Sequence, residues 1–288
     1  MDRRNLLKVL FAGGAAAALP AAARTKRTAA ADSVGMLFDS TLCIGCKACV
    51  VACREANGLK PQATDGMHDM QTELDGQTRN VIKLWKDETN PAAYSFVKQQ
   101  CMHCIDPACV SVCMLGALKK TSGGPVTYDK DTCIGCRYCQ VACPFNVPKF
   151  EWNSATPQIV KCDLCQARMA TTGAKQPACT EVCPRKAVIY GKREELLREA
   201  HRRIDANPRF YQNKVYGEEE LGGTSVLYLA SVPFTKLGFP DKGSRSSPSV
   251  TETLQHGLYQ GMLTPAILYA GLAVAVIRNR KKDKEGDE

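Results

Sequence analysis

The stretch Asp131 to Pro144, D-T-C-I-G-C-R-Y-C-Q-V-A-C-P, carries the sharpest chemical signal in this chain. Cys133, Cys136 and Cys139 stand at steps of three, and Cys143 follows at a step of four with Pro144 behind it. This is the bacterial spacing C-x2-C-x2-C-x3-C-P, in which three thiolates wrap one iron–sulfur cube and the fourth ligates its neighbour. Gly135 lets the backbone turn tightly between the first two ligands, where side-chain bulk would crowd an inorganic core.

All sixteen cysteines of the 288-residue chain fall into groups of this kind. They are Cys43, Cys46, Cys49, Cys53; Cys101, Cys104, Cys109, Cys113; Cys133, Cys136, Cys139, Cys143; and Cys162, Cys165, Cys179, Cys183. None is left over, so the count fits four 4Fe–4S clusters with four ligands each. From Cys43 to Cys53 and from Cys133 to Cys143, eight of eleven positions are identical at an offset of 90. Pro107-Ala108-Cys109 with Val112-Cys113 recurs as Pro177-Ala178-Cys179 with Val182-Cys183. The same pair of elements occurs twice, which points to internal duplication. Structural zinc sites usually pair two short knuckles across a longer gap. Four thiols within eleven residues, twice over, do not follow that pattern. Cysteines three apart also make poor disulfide partners for each other.

No residue pattern suggests a catalytic site. The chain has no C-x-x-C-H haem motif, no phosphate-binding glycine loop and no nickel-binding cysteine pair beyond the cluster ligands. His103 lies inside a group that already has four cysteines, and reads as a packing or supporting residue rather than a ligand. His256 reads as an interfacial polar residue; Tyr138, Phe145 and Trp152 read as core packing. Four clusters without a catalytic site leave electron conduction as the expected task. The formal charge of +9 does not argue for nucleic acid. Each oxidised cluster with its four thiolates carries about −2, so four need roughly that much positive charge. Without residues 1–23, which carry a net +2, the chain would hold +7.

The elements that must position these groups are legible in part. Residues 1–31 read as an export leader: Arg3-Arg4 resembles a twin-arginine signal, followed by the short apolar run Val9 to Leu19. That route, through a twin-arginine translocase, carries folded proteins and so spares clusters built in the cytoplasm. Residues 32–240 form the cluster domain, an α+β body. Strands are expected at Met36–Asp39, Val81–Trp85, Tyr94–Val97, Val126–Tyr128, Val147–Trp152, Val188–Tyr190 and Ser225–Ser231. Residues 57–76 read as a loop, and the insert between the first two groups as either a partner surface or a spacer over the clusters. Gly191 should break the chain into a helix from about Lys192 to Ala206 with Leu196, Leu197, Ala200 and Ile204 on one face. Residues 241–257 read as a linker. Leu258 to Ile277 is an uncharged run of 20 residues, expected to be a transmembrane helix, and 278–288 a basic cytoplasmic tail.

Together these residues resemble a known family of four-cluster iron–sulfur subunits. They are similar to those of exported formate dehydrogenases and of dimethylsulfoxide- and polysulfide-reductase complexes. The resemblance is strongest to the electron-transfer subunit of hydrogenase-2 type, membrane-bound nickel–iron hydrogenases. It rests on G-M-L-F-D-S-T-L-C-I-G-C, K-Q-Q-C-M-H-C, C-R-Y-C-Q-V-A-C-P, G-K-R-E-E-L and L-Q-H-G-L-Y-Q-G-M-L-T-P. The resemblance implies two interleaved ferredoxin-like two-cluster modules plus the C-terminal transmembrane helix. It implies that Cys43, Cys46 and Cys49 share a cluster with Cys183, and Cys162, Cys165 and Cys179 with Cys53. It also pairs Cys133, Cys136 and Cys139 with Cys113, and Cys101, Cys104 and Cys109 with Cys143. Met114 and Arg54 stand where relatives have proline after the cysteine, which implies altered loop stiffness at Met114 rather than a lost cluster. The implied partners are the small and large subunits of a nickel–iron hydrogenase and an NrfD-like integral membrane subunit that reduces quinone. The implied location is the periplasmic face of the cytoplasmic membrane. A formate dehydrogenase beta subunit is the alternative; such subunits usually lack a leader of their own, so Arg3-Arg4 weighs against it.

Overall fold

The computed structural model describes residues 27–61, 73–90, 92–154, 157–252 and 263–285. The expected leader, up to residue 26, lies outside them, as do His256 and most of the expected loop at 57–76. Residues 27–246 make one compact unit, and residues from Ser247 onward belong to a second.

The first unit is built on strand β1 (Val34–Asp39), V-G-M-L-F-D, whose central residues are almost fully buried. Such a run suits a strand covered on both faces. It lies in the middle of a three-stranded sheet. Strand β8 (Val188–Lys192) pairs with it antiparallel, Phe38 opposite Val188 and Val34 opposite Lys192. Strand β9 (Val226–Leu229) pairs with it parallel, Met36 opposite Val226. Three two-stranded ladders complete the strands: β2 (Asn80–Lys86) with β3 (Tyr94–Gln100), β4 (Leu118–Lys120) with β5 (Val126–Tyr128), and β6 (Lys149–Phe150) with β7 (Ile159–Val160).

The order explains how the modules are arranged. Strand β1 precedes the first cysteine group and β8 follows the fourth, and they pair. Strand β4 follows the second group and β5 precedes the third, and they pair as well. One module is therefore nested in sequence inside the other. The insert between the first two groups is the β2–β3 hairpin. Val81, Ile82, Phe96 and Val97 are buried in the main core beside Cys49, Cys101, Cys162 and Cys179. The described part of the insert thus packs against the cysteine groups as the spacer reading expects.

Gly191 does not break strand β8 but pairs within it, opposite Gly35. Helix formation starts at Arg193 and runs to Ala206. Leu196, Ala200 and Ile204, spaced by four, bury one face against Leu37, Leu227 and Leu229. Leu197 is only partly buried at its edge. Glu194 and Glu195 in the first turn and Arg203 in the last complement the helix dipole.

Residues 240–246, expected to begin a linker, are pinned to the body. Tyr216 donates its hydroxyl to the Pro240 carbonyl at 2.8 Å, the Leu221 N–H donates to the Gly243 carbonyl at 2.8 Å, and Ser246 bonds the Asp106 carboxylate. The C-terminal helix spans Leu263–Glu285 and so continues through the basic run. The first five residues of the expected span, 258–262, lie outside the described residues. Among the described residues no helix is long and apolar enough to cross a membrane. The expected transmembrane helix is therefore not supported.

Asp39 ties β1 to the long helix. Its fully buried carboxylate accepts from the Thr41 N–H at 3.0 Å, the Thr41 hydroxyl at 2.6 Å, Arg203 at 3.0 Å and the Tyr211 hydroxyl at 2.9 Å. Removing one partner of a buried pair strands the other, at a cost of about 3 kcal/mol. Asp39→Ala is expected to lower the temperature at which visible absorbance bleaches; an unchanged temperature would mean the network contributes nothing.

Candidate metal centre

The four cysteine groups fold as two pairs of matching backbone units. In the first group Gly45 (φ 69°) and Lys47 (φ 57°) take left-handed conformations, and helix α1 (Ala48–Ala56) begins. In the third, Gly135 (φ 70°) and Arg137 (φ 67°) do the same, and helix α3 (Tyr138–Ala142) begins. A Cβ on Gly45 would stand 2.4 Å from the Phe96 ring of β3, so that turn is also closed to side chains by packing. In the second and fourth groups, extended Pro107 and Pro177 precede the short helices α2 (Ala108–Ser111) and α5 (Ala178–Glu181). His103 (φ 48°) and Leu164 (φ 55°) occupy matching left-handed positions just before Cys104 and Cys165. The duplication read from the letters is therefore present in the backbone.

The fold brings three thiols of one group together with a fourth from another group. Cys43 interacts with Cys46, Cys49 and Cys183. Cys53 interacts with Cys165, and Cys179 with Cys53 and Cys165; Cys162 joins Cys53 and Cys179. Cys104 interacts with Cys101, Cys109 and Cys143. Cys139 interacts with Cys113, Cys133 and Cys136. These neighbours are compatible with the four sets that the resemblance implies, and we propose those sets as the ligands. Electrostatic influence between sets runs in one sequence: Cys49 of the first set acts on Cys179 of the second, Cys101 of the third on Cys162 of the second, and Cys139 of the fourth on Cys109 of the third.

The residues present fit iron–sulfur cubes. Among the described residues no three His, Cys, Asp or Glu converge closely enough to hold one metal ion. One pocket is lined by Cys43, Cys46, Cys49 and Cys183, another by Cys113, Cys133, Cys136 and Cys139. Burial pushes the Cys43 and Cys139 thiols up to about 11 and the Cys179 thiol to about 12, with neighbouring thiols adding to the shift. Burial raises Cys104, Cys109 and Cys162 too, so these thiols lose their protons only against strong positive charge, which iron supplies. Backbone N–H groups already point at sulfur: Leu164 to Cys162 at 3.4 Å and Ala187 to Cys183 at 3.2 Å. The Asn57 amide donates toward the Cys53 sulfur at 3.6 Å.

Two buried lysines, Lys98 and Lys161, and the partly buried Lys120 accompany the sets. Lys120 donates to the carbonyls of His103 and Gly124, and Lys161 to those of Val126 and Cys162. Lys98 is wholly buried, and its ammonium has no hydrogen-bond partner among the described residues. An unpaired cation in such a place implies an anion that is part of the finished site.

His103 is no ligand in this arrangement. Its Nδ1 accepts the Val126 N–H at 2.9 Å, and burial, with Lys161 and Lys120 nearby, holds it neutral. Tyr138 and Trp152 are exposed, not core, and Arg137 stacks on the Trp152 ring at 4.1 Å; Phe145 is buried as expected. Arg54, in the place of a proline, is buried and donates to the carbonyls of Lys60 and Gln77. It holds the loop that follows α1. The lysines were missed in the sequence, where a lone cation in a strand carries no signal.

Models of the 4Fe–4S dicluster domain match residues 42–117 and 92–193. The hydrogenase-2 operon protein HybA of Escherichia coli O157:H7 is 41% identical over 320 aligned residues, covering 98% of this chain and 97% of that one. This chain belongs to the HybA family. Iron–sulfur subunits of formate dehydrogenases are similar over a shorter span. The nitrate-inducible enzyme of Escherichia coli K12 gives 34% identity over 81% of this chain and 78% of its own. The Haemophilus influenzae subunit gives 34% over 85% and 78%. Like its HybA relatives, the chain is an iron–sulfur electron-transfer subunit, and it carries four 4Fe–4S clusters.

The ligand sets make a sharp prediction. The intact protein should hold about sixteen irons and as much acid-labile sulfide. Cys49→Ala and Cys183→Ala should abolish the same reduced-state paramagnetic signal, and Cys53→Ala a different one. If Cys49 and Cys53 variants lose the same signal, the clusters follow the sequence groups and the sets are wrong.

Proposed function

We propose that this chain relays electrons from the small subunit of an exported nickel–iron hydrogenase to an NrfD-like integral membrane subunit that reduces quinone. The observation that carries this reading is the end-to-end identity with HybA, 41% over nearly the whole of both chains. Bound iron–sulfur cubes pass electrons singly. The chain's own residues hold four such groups in series, keep water from the inner sets and leave the fourth set nearest to solvent, with Cys136 exposed. Arg3-Arg4 and the apolar run behind it support export through the twin-arginine translocase. The protein would then work at the periplasmic face of the cytoplasmic membrane, held there by its membrane partner. Service to an exported formate dehydrogenase is the second reading, favoured by the 34% identity with such subunits. Those alignments cover about four-fifths of the relatives, where HybA aligns throughout.

Deleting this protein should stop hydrogen-dependent quinone reduction while dye reduction by the nickel–iron pair continues. Unimpaired hydrogen-to-quinone transfer in the deletion strain would exclude the role. Loss of formate-dependent quinone reduction alone would favour the second reading.

A further inference from the structure

Strand β3 brings one charge into the heart of the molecule. Its sequence, Y-S-F-V-K-Q-Q, is buried from Ser95 to Lys98. Phe96 and Val97 pack in the main core with Cys49, Cys162 and Cys179. Lys98 has no exposed surface, and its ammonium has no hydrogen-bond partner among the described residues. Its backbone carbonyl is fixed by the Tyr228 hydroxyl at 2.7 Å, so the strand cannot slide. Four thiols act on that charge electrostatically: Cys49 of the first set, and Cys179, Cys53 and Cys162 of the second. Lys120 and Lys161 differ, because backbone carbonyls already satisfy them. An ammonium has three donors and no acceptor, so acceptors must complete its surroundings, and the thiolates of two sets are the anionic ones nearest in effect.

We propose that Lys98 is a positioning residue whose fixed charge, set at the joint between two clusters, raises the reduction potentials of both. Each cluster gains one electron and one negative charge on reduction, with no bond made or broken. A cation held nearby in a medium of low polarisability favours the reduced form. Because thiols of two sets act on Lys98, one substitution should move two potentials together. It also offsets the repulsion that an electron on the first cluster exerts on an electron arriving at the second. The role holds whichever enzyme supplies the electrons, and it depends on the ligand sets described above.

The test is a redox titration of the purified holoprotein followed by paramagnetic resonance, with iron counted in every sample. In Lys98→Met, which keeps the length and removes the charge, two of the four reduction steps should fall. At the wild-type midpoint their oxidised-to-reduced ratio should rise at least tenfold, about 59 mV for one electron. The other two steps should stay in place. Lys98→Arg should keep all four near their wild-type values. Full iron with four unchanged potentials in Lys98→Met would overturn the proposal, as would equal shifts in all four. If Lys98→Met loses iron, Lys98→Arg should retain more of it; equal loss from both would assign Lys98 a packing role and overturn the proposal as well.

Discussion

Negative charge removed from water is the constraint on which the rest of this structure depends. An isolated buried ion costs several kcal/mol even after the protein relaxes around it. Sixteen thiols are gathered here, and burial opposes the loss of their protons at every deeply placed one for which a shift is resolved. Three responses are built into the chain. Iron supplies most of the countercharge. Peptide N–H groups such as those of Leu164 and Ala187 turn toward sulfur. Lysines supply part of the remainder, and three of them arrive on or beside a strand: Lys98 in β3, Lys120 at the end of β4, Lys161 directly after β7. Small ladders of only two strands are thus explained as carriers of cations as much as sources of cohesion.

The nesting of one module within the other follows from the same need. The chain begins the outer module at β1, leaves it after Cys53, builds the hairpin and the whole inner module, and returns through Cys162 to β8. Closing so long a loop costs entropy, although that cost grows only slowly with length. Metal binding offsets it, since an iron–sulfur site does not exist in the unfolded chain and its binding energy is folding energy. Cluster insertion and closure of the outer module therefore belong to one event.

The sequence showed the ligands plainly and their partners poorly. Spacing alone identified every cysteine group, and the repeated letters foretold the matching turns at Gly45 and Gly135. Lys47 and Arg137, left-handed without being glycine, gave no such sign, because the cluster loop and not the residue imposes that conformation. Which fourth cysteine completes each set depends on chain topology, and local spacing is blind to it. Gly191 was read as a break because glycine weakens strands in general; pairing with Gly35 outweighs that weakness here. Tyr138 and Trp152 were placed in a core by residue type, yet they stand in solvent over the fourth set. Lys98 left no trace in composition or periodicity, since a strand of seven residues with one cation looks like an ordinary edge.

Exposure along the series of sets says something that residue identity does not. Between the first and fourth sets lie eight thiols, of which Cys53, Cys101, Cys162, Cys165 and Cys179 are buried and Cys104, Cys109 and Cys143 partly buried. At one end Ile44 and Val182 reach the surface beside the first set; at the other Ile134 and Val141 do so beside the fourth. A store of charge would be insulated on every side. A conductor needs a dry middle, where low polarisability keeps the energy of reorganisation small, and thin cover at both ends, where a partner must approach within tunnelling distance. The cysteine groups alone are compatible with either design. It is the folding of the first and fourth sequence groups around the hairpin, with the second and third groups beyond them, that lays the sets in series and brings both ends to the surface.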